Sequence, residues 1–112
     1  MYTLALTKDE FLYLLVLYGV EDDDKYREYG LNLEDTTSER LARGEELLRT
    51  REIVTGKTGI PTISDEATAL VGTSIIQKKE GNEYIDSEVG LHVRVLREGE
   101  VYLFRGELVE KE

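Results

Sequence analysis

The chain has 112 residues, a length that suits one domain with one hydrophobic core. Hydrophobic residues make up 40% of it and charged residues 34%, which excludes disorder over most of its length. The formal net charge is −10, and an excess of this size repels nucleic acid phosphates and favours basic partners.

The sequence predicts no transmembrane helix, because it contains no run of 18 apolar residues. Residues 1–6 lack the basic segment and the cleavage site of a signal peptide. Without cysteine, the chain has neither disulfides nor a Cys-based zinc site. We therefore expect a soluble, cytoplasmic protein whose fold depends on its hydrophobic core alone.

The first predicted element is a helix over about residues 8–18. Thr7 and Glu10 have the spacing of a capping box, in which each side chain bonds the backbone N–H of the other residue. Gly19 suits the left-handed position after a helix end, and Val20 stands where a Schellman motif needs an apolar residue. The apolar residues of this helix occupy almost its whole circumference, which predicts that the helix is buried on most sides.

A second helix is predicted after an acidic connection over residues 21–35, which has room for a short helical turn. Thr36 and Glu39 have the spacing of another capping box, so we expect the helix to run to about Thr50. Gly44 interrupts the helix interior. It predicts either a bend or the close approach of a neighbouring backbone.

The rest of the chain predicts one helix among several strands and turns. Ser64 can cap this third helix, which would end near Gly72. The main turns are predicted at residues 55–59, at Gly81-Asn82 and at Glu98-Gly99, and the tail from Glu107 is expected to fray. The strands are predicted at residues 52–54, 73–79, 84–85, 91–95 and 101–104.

Together these elements predict an α+β fold that forms a single domain over residues 1–112. Its helical, winged-helix-like N-terminal part would cover about residues 1–72. A small antiparallel β-sheet of hairpins would cover about residues 73–106. No internal repeat or linker divides the sequence further.

No motif for catalysis or ligand binding is complete. A phosphate-binding loop ending in residues 56–58 would need glycine at position 51, where arginine stands. An EF-hand loop beginning at Asp22 would need glycine at position 27, where arginine stands. His92 is the single histidine, which excludes a zinc site built on two histidines. We expect a protein that is not an enzyme and has no catalytic residue, cofactor or metal site.

Four arginines line the second predicted helix and its exit and alternate with glutamates, a pattern typical of a solvated face with salt bridges. The alternative is a DNA recognition helix within residues 36–60. This segment carries a net charge of +1 between residues 1–35, at −6, and residues 61–112, at −5, and these flanks disfavour DNA. The arginines are Arg40, Arg43, Arg49 and Arg51.

Candidate partner-binding residues lie in the predicted sheet and in the acidic run. Aromatic and arginine side chains often anchor protein interfaces, and consecutive carboxylates would meet a basic partner. An exposed sheet edge is also compatible with a homodimer. The candidates are Tyr84, His92, Arg94, Tyr102 and Phe104 in the sheet, and Asp22, Asp23 and Asp24 in the acidic run.

Two sequence patterns point to a known family. The first is Leu-Thr-x-x-Glu-Phe-x-x-Leu at residues 6–14, with a glycine ending that helix. The second is Glu-Arg-Leu-Ala-Arg-Gly-Glu-Glu-Leu-Leu at residues 39–48, with a strand-like exit. In these patterns the chain resembles, over about residues 4–105, the type VII (ESX) secretion-associated chaperones. The resemblance implies an α+β protein that holds secretion substrates in the cytoplasm without catalysis, and we carry over no binding residue from it.

The leading functional hypothesis is a non-catalytic cytoplasmic protein-binding module, for example a secretion-associated chaperone or adaptor. Its partner would be another protein, either basic or a secretion substrate, and neither nucleic acid nor a membrane. One alternative is a winged-helix transcription regulator that binds DNA through residues 36–60. Another is a small acidic immunity protein that inhibits a basic toxin.

Overall fold

The structure, a computed structural model, describes residues 1–109. Helices and strands both contribute substantially to the fold. Strands that follow one another in the chain and pair do so in antiparallel fashion, which confirms the α+β class. The helices are α1 (Lys8–Leu17), α2 (Asp23–Glu28), α3 (Ser38–Thr50) and α4 (Asp65–Ile76), with a short 3-10 helix at Leu33–Asp35. The strands are β1 (Tyr2–Thr7), β2 (Val54–Lys57), β3 (Ile60–Ile63), β4 (Lys79–Glu80), β5 (Glu83–Asp86), β6 (Leu91–Glu98) and β7 (Val101–Leu108).

The chain forms two compact units. The helical unit consists of residues 6–64 and contains α1 to α3 and the β2–β3 hairpin. The sheet unit consists of residues 1–5 and the described residues from 65 onward. The prediction of one domain over residues 1–112 is not decided by this division, and the winged-helix-like order of the N-terminal part also stays a prediction. Among residues 1–109, no helix is both long and apolar enough to cross a membrane.

Helix α1 has the two predicted ends. The Glu10 carboxylate accepts from the Thr7 backbone N–H at 2.8 Å, and the Thr7 hydroxyl accepts from the Glu10 N–H at 3.3 Å. At the other end, the Val20 N–H donates to the Leu15 carbonyl at 3.0 Å, and Gly19 has a φ of 79°. The capping box and the Schellman motif are therefore both confirmed.

Helix α3 begins one residue later than predicted. Its N-cap is Thr37, whose hydroxyl accepts from the Arg40 N–H at 3.3 Å. The Thr36 hydroxyl donates instead to the Leu33 carbonyl at 2.6 Å and closes the preceding 3-10 turn. The predicted cap at Thr36 is therefore wrong, because that hydroxyl already bonds the turn before the helix.

Gly44 lies where α3 packs against α1. A Cβ atom at this position would overlap the carbonyl oxygen of Asp9, which is backbone of α1, and would lie 3.1 Å from the Tyr13 Cβ. Of the two predicted explanations for this glycine, the close approach of a neighbouring backbone is the correct one. The approach is part of the extensive contact between α1 and α3.

Glu52 is the one non-glycine residue with positive φ within residues 1–109, at 60°. It follows α3 in a further Schellman ending, in which the Ile53 N–H donates to the Leu48 carbonyl at 3.0 Å. A side chain in this left-handed conformation costs about 1 kcal/mol, which glycine avoids. We expect Glu52→Gly to raise the free energy of unfolding by about 1 kcal/mol, measured by urea denaturation.

A matched control for this change is Glu46→Gly in the exposed middle of α3. Ordinary helical backbone disfavours glycine, so this variant should lose about 1 kcal/mol. A loss of stability in both variants would contradict the assignment of strain to Glu52.

Three predicted boundaries beyond α3 are wrong. Residues 52–53, expected in a strand, form the turn that ends α3. Residues 55–57, expected in a turn, lie in β2, and only Thr58-Gly59 connects it to β3. Helix α4 continues through Gly72, so residues 73–76, expected in a strand, are helical. Thr73 and Ser74 are buried there, and this packing outweighs the β-branched character of the segment.

The sheet unit contains a five-stranded sheet in the order β1-β7-β6-β5-β4. Its turn at Gly81-Asn82 is confirmed, whereas the last turn is Gly99-Glu100, one residue later than predicted. The fraying expected from Glu107 is wrong for residues 107–108, which belong to β7, and residues 110–112 lie outside the described part. Strand β1 was not predicted at all.

The sheet has two different faces. Helix α4 covers one of them, where Leu70 fills the space that a side chain on Gly106 would need and Leu91 lies beside it. We call this the α4 face, and the opposite one the outer face. The register places Val93 with Gly106 on the α4 face and Arg94 with Arg105 on the outer face.

Candidate functional site

The three aromatic candidates lie in the hydrophobic core of the sheet unit. Tyr84, Tyr102 and Phe104 are each at most 1% exposed. Cross-strand register explains this, because Tyr84 pairs with Val93 and therefore shares the α4 face. The guanidinium of Arg97 lies over the Tyr102 ring, 5.4 Å from its centroid. None of the three rings belongs to the surface that a partner would meet first.

His92 and Arg94 lie on the outer face, as their alternation with Leu91 and Val93 predicts. Both share one carboxylate on the neighbouring strand. The Arg94 guanidinium donates to Glu83 at 3.1 Å, and the Nδ1 atom of His92 lies 3.4 Å from the other oxygen of Glu83. This cluster is partly exposed.

The acidic run has local roles at the start of α2. Asp22 caps the helix by accepting from the Asp24 N–H at 3.0 Å. Asp23 accepts from the Leu33 N–H at 2.9 Å and pairs with Arg27 at 2.8 Å. Carboxylates in the first helical turn are also favoured by the helix dipole. These bonds account for two of the three acids, while partner binding by Asp22, Asp23 and Asp24 stays a prediction.

Most arginines of the second predicted helix are held in ion pairs. Arg40 pairs with Asp9 at 3.1 Å, Arg49 with Glu45 at 3.0 Å, and Arg51 with Glu10 at 2.8 Å. Within residues 1–109, no ion pair is seen for Arg43. Three of the four cations that a recognition helix would offer to phosphates are thus neutralised within the chain.

A polar cluster joins the three main elements of the helical unit. Burial raises the pKa of the Tyr13 hydroxyl, and the charge of Glu45, which accepts a hydrogen bond from it, raises that pKa further. Arg49 then donates to the Gly56 carbonyl at 2.7 Å. Because these contacts connect α1, α3 and β2, the role of the cluster is structural, although the Nη2 atom of Arg49 is buried and has no hydrogen-bond partner among the described residues.

One feature of the sheet unit that suits a ligand is an apolar groove of about 430 Å³. Several apolar side chains along it are exposed: Tyr2 by 50%, Val89 by 61% and Leu108 by 57%. A partner protein can bury such an exposed apolar surface with a polar border. The groove is lined by Tyr2, Asp65, Glu66, Ala69, Leu70, Val89, Leu91 and Leu108.

Asp65 and Glu66 form the acidic border of this groove. Both are exposed residues in the first turn of α4, where the helix dipole favours their negative charge. Neither has an ion pair to any of the described residues. The groove therefore combines an apolar floor with two carboxylates whose charge is available to a ligand.

Sequence reasoning missed this groove entirely. The alternation of buried Leu4 and Leu6 with exposed neighbours would have indicated β1, and the segment after Ser64 was predicted only as the start of a helix. No group of three or more potential metal ligands lies close together within residues 1–109. The chain matches no protein-family model, no curated protein and no solved structure.

Proposed function

We propose that this chain is a non-catalytic protein-binding module that holds its partner in the apolar groove of the sheet unit. The observation that carries the proposal is the exposure of three large apolar side chains, those of Tyr2, Val89 and Leu108, around one concave surface. Water contact with this much apolar surface is unfavourable, and covering it stabilises a complex. A cytoplasmic role as a secretion-associated chaperone or adaptor is the specific form of this function that the family resemblance suggests.

The proposed occupant is an apolar segment of a basic partner protein. Apolar side chains of that segment would cover Val89 and Leu108, while a lysine or arginine beside them would meet Asp65 or Glu66. The net charge of −10 would accelerate the approach of such a partner. An inhibitor of a basic toxin would satisfy the same chemistry, so this alternative remains a special case of the proposal.

Residues 36–60 are poorly suited to binding DNA. The ion pairs of Arg40, Arg49 and Arg51 with acids of the same chain leave little positive charge for phosphates.

A peptide titration tests the groove directly. The probe is a synthetic amphipathic peptide rich in leucine and lysine, and its control has glutamate in place of lysine. We expect the lysine peptide to bind the wild-type chain, and Val89→Lys to weaken this binding by about tenfold, because it places a cation among apolar contacts. Fluorescence anisotropy gives both dissociation constants.

The matched control variant is Val101→Lys, which changes an exposed valine that does not line the groove. It adds the same charge to the same unit and should bind the lysine peptide like the wild type within about twofold. Equal weakening by both variants, or equal binding of both peptides, would contradict the proposal. In a pull-down from the native host, the specific partner is the protein that is lost with Val89→Lys and retained with Val101→Lys.

A further inference from the structure

A second concave site lies on the outer face of the sheet unit, away from the groove. It is a small cavity of about 130 Å³, roughly four times the volume that a water molecule takes up in the liquid. Three of the side chains around it are potential donors, His92, Arg94 and Arg105. The remaining lining residues are Met1, Glu83, Gly106 and Glu107.

Two arginines stand directly opposite each other in this cavity. Arg94 of β6 and Arg105 of β7 are register partners, and like charges in this arrangement destabilise a strand pair. Arg94 is compensated by Glu83 at 3.1 Å. Arg105 is exposed and has no ion pair to any residue of the described part of the chain. One guanidinium of the pair thus keeps its full set of donors for a ligand.

The two carboxylates of the cavity do not neutralise Arg105. Glu83 lies on β5, on the far side of Arg94, and both of its oxygens already face Arg94 and His92. Glu107 is the register partner of His92, and it forms no ion pair within the described residues. The Glu107 carboxylate would repel an anion bound in this cavity. Removing its charge therefore tests whether the cavity binds an anion.

We propose that Arg94 and Arg105 bind a single oxyanion, a phosphate or a carboxylate, in this cavity. The planar guanidinium presents paired N–H donors that match two oxygens of such a group, and the cavity has room for one of them. An anion between the two cations removes the repulsion across the strand pair. The same chemistry would recognise a free anion or an oxyanion carried on a peptide.

Two probes distinguish these sources: inorganic phosphate, and a phosphoserine peptide compared with its unphosphorylated form. Backbone amide NMR shifts of residues 94, 105 and 106 report the titration. We expect saturable shifts with phosphate, and about tenfold weaker binding after Arg105→Gln because charged hydrogen bonds are lost. Tighter binding of the phosphopeptide than of phosphate would assign the site to a peptide, and equal binding would assign it to a free anion.

Two further variants decide the interpretation. Glu107→Gln removes the opposing carboxylate and should tighten phosphate binding by about threefold. Lys57→Gln changes the net charge as Arg105→Gln does, but lies in the helical unit, so its affinity should equal that of the wild type. The proposal is overturned if phosphate causes no saturable shift, or if Arg105→Gln and Lys57→Gln have the same affinity.

Discussion

Replacing Gly44 with alanine is expected to lower the free energy of unfolding by about 2 to 3 kcal/mol, because the new methyl group must displace the α1 backbone. The carbonyl of Asp9 occupies the space that the Cβ atom would take. Backbone of a packed helix cannot move aside as the end of a flexible side chain can. Helix propensity alone predicts the opposite sign, a gain of about 1 kcal/mol.

The sign of this change therefore decides between propensity and packing. Urea denaturation with the Arg43→Ala variant as control provides the comparison, since Arg43 is exposed in the same helix. The control should stay within about 0.5 kcal/mol of the wild type. If Gly44→Ala is as stable as the wild type or more stable, α1 and α3 are not packed as closely as the structure shows.

The second large effect is expected at Glu10, where alanine should cost about 2 to 3 kcal/mol of unfolding free energy. Glu10 is 1% exposed, and its carboxylate accepts from two donors, the Thr7 backbone N–H and the Arg51 guanidinium, each at 2.8 Å. Alanine removes both acceptors and the capping box at once. Because the Arg51 side chain is 39% exposed, water can hydrate it in the variant, which limits the loss.

Glu10→Gln separates charge from hydrogen bonding. It keeps one carbonyl acceptor and the side-chain volume, so it should lose about 1 to 2 kcal/mol. The control is Arg27→Ala, which breaks the exposed pair with Asp23 and should cost about 0.5 kcal/mol or less. Thermal or urea unfolding measures all three variants. A cost for Glu10→Ala no larger than the control's would show that this buried ion pair does not stabilise the fold.

The elements that sequence predicted well are those with local signals. Thr7 and Glu10 determine the start of α1 within four residues of chain, and Gly19 determines its end. The close approach at Gly44 was one of two interpretations, since a glycine inside a helix needs a tertiary reason. Such signals involve residues that are close together in the chain, so a single sequence is enough to identify them.

The elements that were missed depend on contacts between distant residues. Residues 73–76 have the composition of a strand, yet burial of Thr73 and Ser74 makes them part of α4. The alternation in β6 put His92 and Arg94 on one face, but it could not show which face α4 covers, so Tyr84 could not be assigned to the core.

The groove could not be predicted because its residues come from both ends of the sheet unit's sequence. Tyr2 and Leu108 line it together only because β1 lies beside β7 in the sheet. The cavity between Arg94 and Arg105 required the register of β6 with β7, which a turn shifted by one residue would have changed. In both sites the sequence contains the residues, but it does not show that they lie close to one another in the fold.

The place of β1 in the sheet also has a consequence for biosynthesis. Strand β7, its neighbour, leaves the ribosome only after residues 6–64 have been synthesised, because all of that segment lies between β1 and β7 in the sequence. Contacts between residues so far apart form slowly, because a long loop must close first. The helical unit can therefore fold during translation, while β1, an uncharged segment of alternating apolar residues, waits unpaired and exposed to aggregation until β7 emerges.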